Sequence, residues 1–182
     1  MRKFSFLIVA LAGFSFFSCK DSKSTEPEVV TVQTEEHKEV YAIAPGNVEF
    51  NNEEVAEVFA QYLRLQTALI NTDGKEGQLE AEKLSKQIHE GSLEANDEVR
   101  GVAQLMAESD DIDILRKGFE TISDWMLKTV EGNIASGTLY RQYCPMAFND
   151  KGAYWISTDK KILNPYFGDK MLRCGRVETE IN

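Results

Sequence analysis

Between Asn52 and Val130, apolar residues recur at helical spacing in four successive segments, and this pattern constrains the fold more than any other feature of the chain. The last segment, DIDILRKGFETISDWMLKTV (111–130), places Ile112, Leu115, Phe119, Ile122, Met126 and Thr129 at alternating steps of three and four, so all six share one inward stripe. The first, NNEEVAEVFAQYLRLQTALIN, starts on a capping Asn52 followed by two acids, which suit the positive end of a helix. Val55, Phe59, Tyr62, Gln66 and Leu69 lie on one face, widened by Val58, Leu63 and Leu65. DGKEG then breaks the pattern; residues 77–90 resume it with Ala81, Leu84 and Ile88, and Gly91 stops it. A further helix over 96–109 turns Val99, Val102, Ala103 and Met106 inward. Short connections make consecutive helices antiparallel neighbours. The fold class expected is mainly α: an up-down four-helix bundle, with Met106 and Met126 as core residues.

After Asn133 the helical period ends. GTLYRQYCPMAF and GAYWIS are rich in aromatic and β-branched residues between glycines, as strands are, and ILNPYFGDKMLRCGRVET is a turn-rich stretch leading to a short strand. Tyr143, Phe148, Tyr154, Trp155, Tyr166 and Phe167 are too apolar to leave in water, so this small C-terminal tail is expected to pack on the bundle.

The N-terminal end has a different character. Arg2 and Lys3 precede an apolar run of 14 residues, Phe4–Phe17, which is short for a membrane span and suits a signal peptide. The run ends at Cys19, with Ser18 before it, where bacterial lipoproteins carry their lipidated cysteine; Phe16 stands where leucine is usual. The alternative is an ordinary secreted chain with an incidental cysteine. The organisation expected is a signal peptide over 1–18, a lipid-attachment cysteine and flexible tether over 19–48, and one domain over 49–182. The tether's VVTV stretch has strand-forming content. Removing Arg2 and Lys3 from 20 basic residues leaves 18 against 30 acids, a formal charge near −12, which repels phosphate backbones and argues against nucleic-acid partners.

With Cys19 lipidated, Cys144 and Cys174 remain, in an oxidising compartment. They admit two main readings, with two free buried thiols as the remainder. A Cys144–Cys174 disulfide would close a loop of about 30 residues, worth roughly 3–4 kcal/mol in the chain-entropy model. Alternatively, thiolates and thioethers are soft ligands that select Cu(I) or Ag(I). Cys144 and Met146 are two apart and would share a side in an extended segment; Met171 and Cys174 are three apart, within reach of one turn. Zinc suits this set less, since structural zinc takes cysteine and histidine.

Four tail motifs, YCPMAF, GAYW, NPYFG and MLRCG, together with YLRLQTALI and the Arg116/Phe119 segment DIDILRKGFETIS, resemble a bacterial domain of unknown function over roughly residues 50–177. That family occurs as stand-alone exported lipoproteins and fused to periplasmic adaptors of Cus-type copper/silver efflux systems. The resemblance implies Cu(I) or Ag(I) as cargo, Cys144, Met146, Met171 and Cys174 as candidate metal ligands, and an efflux adaptor as partner. Cys-Pro-Met is also similar to the Cys-Pro-Met-His motif of small heavy-metal-binding domains, but here Ala147 replaces the histidine and the later Cys-x-x-Cys is missing. In the NPYFG motif, Asn164-Pro165 is a turn start and Gly168 permits positive φ, so Asn164, Pro165, Tyr166 and Gly168 read as structural.

No enzyme is expected. The chain has no glycine-rich phosphate loop, no His-Glu-x-x-His and no serine elbow. Of its two histidines, His37 falls in the tether, and His89 sits where it can bond the terminal carbonyls of a helix. The function expected is a lipid-anchored soft-metal module on the periplasmic side of the envelope, at the outer membrane, linked to metal efflux or resistance. The alternative is a disulfide-stapled interaction domain that docks on an adaptor or another envelope protein.

Overall fold

The computed structural model describes residues 39–43 and 46–182. The leader over 1–18, Cys19, the VVTV stretch and His37 lie outside the described residues.

Four long helices carry the core: α1 (Glu53–Ile70), α2 (Gly74–Glu90), α3 (Asp97–Ala107) and α4 (Ile112–Val130). Each begins on an Asn or Asp whose carboxamide or carboxylate oxygen accepts from a free N–H of the first turn. Asn52 accepts from Glu54 N at 2.8 Å, Asp73 from Glu76 N at 3.0 Å, Asn96 from Val99 N at 2.9 Å and Asp111 from Asp113 N at 2.8 Å. The expected inward residues of α1 are all buried, as are Ala81, Leu84, Ile88, Met106, Leu115, Phe119, Ile122 and Met126. Burying each large side chain contributes about 1.5–3 kcal/mol.

Helix α2 starts three residues earlier than its apolar pattern indicates. The glycines that read as a break are helical, because Asp73 caps the segment and close packing needs bare positions. A Cβ on Gly77 would stand 2.8 Å from Leu115 Cδ1 of α4.

The strands form two small antiparallel sheets. One pairs β1 (Glu49–Phe50) with β2 (Ile134–Ser136). The other has the order β4-β3-β5, with β3 (Leu139–Cys144) between β4 (Ala153–Ser157) and β5 (Arg176–Ile181). Helix α1 packs on α2 and α4, α3 packs on α2 and α4, and α4 also packs on β4. The fold is therefore about half helical, with strands built into the core. The expected bundle with an appended tail holds only in that coarser form. Trp155 and Tyr166 of the tail are buried in the same core as the helices. The β1–β2 pair went unforeseen, because strands of two and three residues carry no readable period.

Tyr62 joins the two layers. Its ring is fully buried and stacks on Phe59 and Phe119, with centroids 5.9 and 4.9 Å apart. Its hydroxyl lies 2.9 Å from Ser123 Oγ of α4 and accepts from Ile156 N, on the outer edge of β4, at 3.1 Å. Tyr166 covers the same edge by donating to the Tyr154 carbonyl. Edge groups that would otherwise be buried without partners are thus satisfied. Tyr62→Phe keeps the ring and removes the hydroxyl, leaving Ile156 N–H and Ser123 short of a partner. It is predicted to destabilise the fold by about 1–3 kcal/mol, read as a lower midpoint in urea unfolding.

Candidate functional site

Sheet register brings the two cysteines together. Cys144 is the last residue of β3, opposite Ala153 of β4. On its other side Tyr143 pairs with Arg176, the first residue of β5, so Cys174 arrives beside Cys144 from the preceding loop. The sulfurs lie 3.2 Å apart as free thiols, with Cys144 fully buried and Cys174 half-buried. A disulfide needs about 2.05 Å. Two thiolates on one tetrahedral metal, with bonds of about 2.3 Å, stand about 3.8 Å apart. The observed separation falls between these values, so either state requires a shift of about an ångström or less.

The loop carrying Cys174 is held by a buried amide. Asn164 Nδ2 donates to the Cys174 carbonyl at 2.7 Å, and its Oδ1 accepts from Tyr166 N at 2.8 Å and Phe167 N at 3.3 Å. Its own N–H donates to Leu172 O at 2.9 Å, and its carbonyl accepts from Gly168 N at 2.9 Å. Pro165 O is held in turn by Arg116 Nε at 3.0 Å, while Arg116 Nη2 reaches Leu69 O at 3.2 Å and Thr72 Oγ1 at 3.1 Å. One buried guanidinium thus ties α4, the end of α1 and the NPYFG turn. Burial lowers its pKa, and the charges of Asp113 and Asp169 oppose that shift.

Glycine is required at two points of this loop. Gly168 has φ +56, as its motif implied. Gly175 has φ +141, and a Cβ there would stand 2.9 Å from both Trp155 Cη2 and the Tyr143 carbonyl oxygen. The chain after Cys174 therefore passes directly over the buried Trp155. Neither Trp155 nor the grip of Asn164 on Cys174 was recognised as part of the site in the sequence. The available signals were an asparagine before proline and a glycine after cysteine.

The methionines are placed differently. Strand β3 ends at Cys144, and Met146 has φ −89 and ψ −7 within a turn. The same-side argument for Cys144 and Met146 holds only in an extended segment and does not apply: Cys144 is fully buried, whereas Met146 is 47% exposed. After Met146 the chain enters a left-handed turn, with φ of +52, +57 and +64 at Phe148, Asn149 and Asp150. For residues with a Cβ this costs roughly 1–2 kcal/mol each. The turn is held by Gly152 N donating to Ala147 O at 2.9 Å and by the Phe148 ring against Tyr166 at 5.3 Å. Met171 is half-buried, and its carbonyl accepts from Cys174 N at 3.0 Å, so one turn does span Met171 and Cys174. His89 bonds Ser85 O through Nδ1 at 2.8 Å, an i−4 carbonyl inside α2 and not one of the terminal carbonyls expected, because the side chain folds back along its own helix.

Among the described residues no three His, Cys, Asp or Glu side chains gather in a way that could hold a metal. A metal held here would take the two thiolates, soft ligands suited to a monovalent ion. Burial, and then the hydrogen bond and charge of Cys144, push the Cys174 thiol from its ordinary 9.0 up to about 11. Such a thiol is a weak nucleophile at neutral pH. Because the folded value exceeds the unfolded one, its stabilising contribution is fully present below pH 9 and is lost as pH rises through about 11. The reduced protein is predicted to unfold at progressively lower urea concentration across that interval. Cys174→Ser should lose part of this pH dependence in the same measurement.

Comparison with known proteins gives one family. Residues 58–137 match the model of a family described as Protein of unknown function (DUF3347). The match runs from within α1 through β2, less than half of the chain, and Cys144, Met146, Met171 and Cys174 lie beyond the matched residues. No curated protein and no solved structure matches the chain.

Proposed function

We propose that this protein is a non-catalytic binding module for a soft monovalent metal, Cu(I) or Ag(I), carried as cargo. In this reading it is exported, anchored by lipid at Cys19 on the periplasmic side of the outer membrane, and works beside the periplasmic adaptor of a heavy-metal efflux system. The observation that carries the reading is the pair of free thiols 3.2 Å apart, delivered by two separate segments and flanked by methionines. Two thiolates with thioether neighbours match the preference of Cu(I).

Titrating the reduced mature domain with Cu(I) beside a competing chelator is expected to show one ion per chain. The Cys144→Ser/Cys174→Ser double variant should lose that binding, and binding unchanged in the double variant would overturn the proposal. Lipid anchoring is tested separately: Cys19→Ala should abolish acylation and release the protein from the membrane, and a variant that stays membrane-bound would refute the anchor.

The closeness of the same sulfurs also favours a second reading, a disulfide-stapled interaction domain. The link would close a loop of about 30 residues, worth roughly 3–4 kcal/mol. Non-reducing mass spectrometry of periplasmic material separates the two readings, because a quantitative Cys144–Cys174 link in that material supports the staple.

A further inference from the structure

We propose that Asn164 is the positioning residue of the sulfur pair: its carboxamide fixes the main chain at Cys174 and so sets the strength of the link the pair makes. This rests on the reading that Cys144 and Cys174 act together, in either form given above. It goes beyond that reading by naming the residue that controls them and the class of reactant they meet.

Asn164 is fully buried, and each of its polar groups is used. Its own N–H and carbonyl bond Leu172 O and Gly168 N, and its Oδ1 caps the turn at Tyr166 and Phe167. Those contacts account for the turn. Its Nδ2 does something separate, crossing ten positions of sequence to the Cys174 carbonyl at 2.7 Å. The Cys174 N–H is taken by the Met171 carbonyl at 3.0 Å. The peptide planes on both sides of Cys174 are therefore oriented by hydrogen bonds, and rotation about its Cα–Cβ bond is the main freedom left to its sulfur. Cys144 is placed from the other direction, by its pairing with Ala153 of β4. The turn that holds Asn164 is fastened to the helices, since Arg116 Nε donates to Pro165 O at 3.0 Å. The neighbouring bond from Arg173 Nη1 to Ile162 O is exposed, where water can replace it.

Holding two thiols in one place raises their effective concentration toward each other, which strengthens a disulfide between them as it would a metal shared by them. For the disulfide the external reactant is itself a disulfide, and it meets Cys174 first, because Cys144 is fully buried and Cys174 is half-buried. The Cys174 thiolate attacks one sulfur of that reactant, and the other sulfur leaves as a thiolate. Cys144 then gives up its proton and attacks Cys174 Sγ, forming the internal link and releasing the second external thiolate. Two electrons pass from the protein to the external disulfide, which departs as two thiols carrying the two protons.

The test equilibrates the metal-free full-length protein in mixtures of reduced and oxidised glutathione and reads the Cys144–Cys174 link by peptide mass spectrometry after alkylation. Asn164→Ser keeps an oxygen able to accept from Tyr166 and Phe167 and lacks the amide that reaches Cys174. It is expected to lower the effective concentration of the pair about tenfold or more, a midpoint about 30 mV less negative. Asn52→Ala removes the α1 cap, destabilises the dithiol and disulfide forms alike, and should leave the effective concentration within about twofold of wild type. A folded Asn164→Ser protein that also stays within about twofold overturns the positioning role. Should that variant not fold, Asn164→Asp keeps the side chain's shape and its capping oxygen while removing the donor to Cys174, and the same limits decide. A wild-type pair that stays unlinked at every glutathione ratio overturns this role and the staple reading together. Cu(I) takes no part in the measurement, so a wild type that binds no Cu(I) overturns the metal reading and leaves this role standing.

Discussion

The placement of Tyr62 is the contact on which the rest of the structure depends. One side chain fills the centre of the aromatic stack and hydrogen-bonds both α4 and the outer edge of β4. Its environment explains its chemistry, since burial raises the phenol's pKa well above the ordinary range and keeps the hydroxyl neutral at any physiological pH. Strand β4 located in this way carries β3, and β3 carries Cys144. A second line of support runs from Arg116 through Pro165 and Asn164 to Cys174. Both supports originate in helices α1 and α4. The family model covers Tyr62, Arg116, Phe119 and Ser123 but neither thiol, so the matched region supplies the frame and the unmatched tail supplies the sulfurs.

The helical half was legible because burial imposes a period on it. The inward residues of α1 and α4 alternate with charged ones, and each helix begins at a capping side chain. The first turn of α2 was misread because glycine usually breaks helices, whereas Gly74 is needed where the Asp110 backbone carbonyl approaches the first turn. Strands β3 and β4 were visible from their aromatic and β-branched content and β5 as a short strand after the turn-rich stretch, but not their order, because pairing is a long-range choice with no local signal. The meeting of Cys144 and Cys174 follows from that order. The left-handed run at Phe148–Asp150 was illegible for another reason: of its three residues only Asn149 and Asp150 tolerate such φ values readily, and nothing local announces a phenylalanine there.

The two readings of the thiol pair involve opposite displacements from one starting geometry. Oxidation draws the sulfurs together, and metal capture pushes them apart. Neither requires refolding, since β3 and the NPYFG turn are held by contacts that do not involve the sulfurs themselves. Oxidation and capture are also mutually exclusive, because a metal ligand must be a reduced thiolate. In the proposed function, redox poise selects between these two states of the pair.

The position of Cys144 on the middle strand has a mechanical consequence. Cys144 is paired with Ala153 of β4 and follows Tyr143, which is paired on both sides, whereas Cys174 precedes its strand and is held by the Met171 carbonyl and the Asn164 carboxamide. The pair therefore works like a vice with one fixed jaw and one sprung jaw. The Cys174 side of the gap is joined through Asn164 and Pro165 to the Arg116 corner where α1 ends. The far end of the helical layer would register what happens at the sulfurs with no helix having to slide.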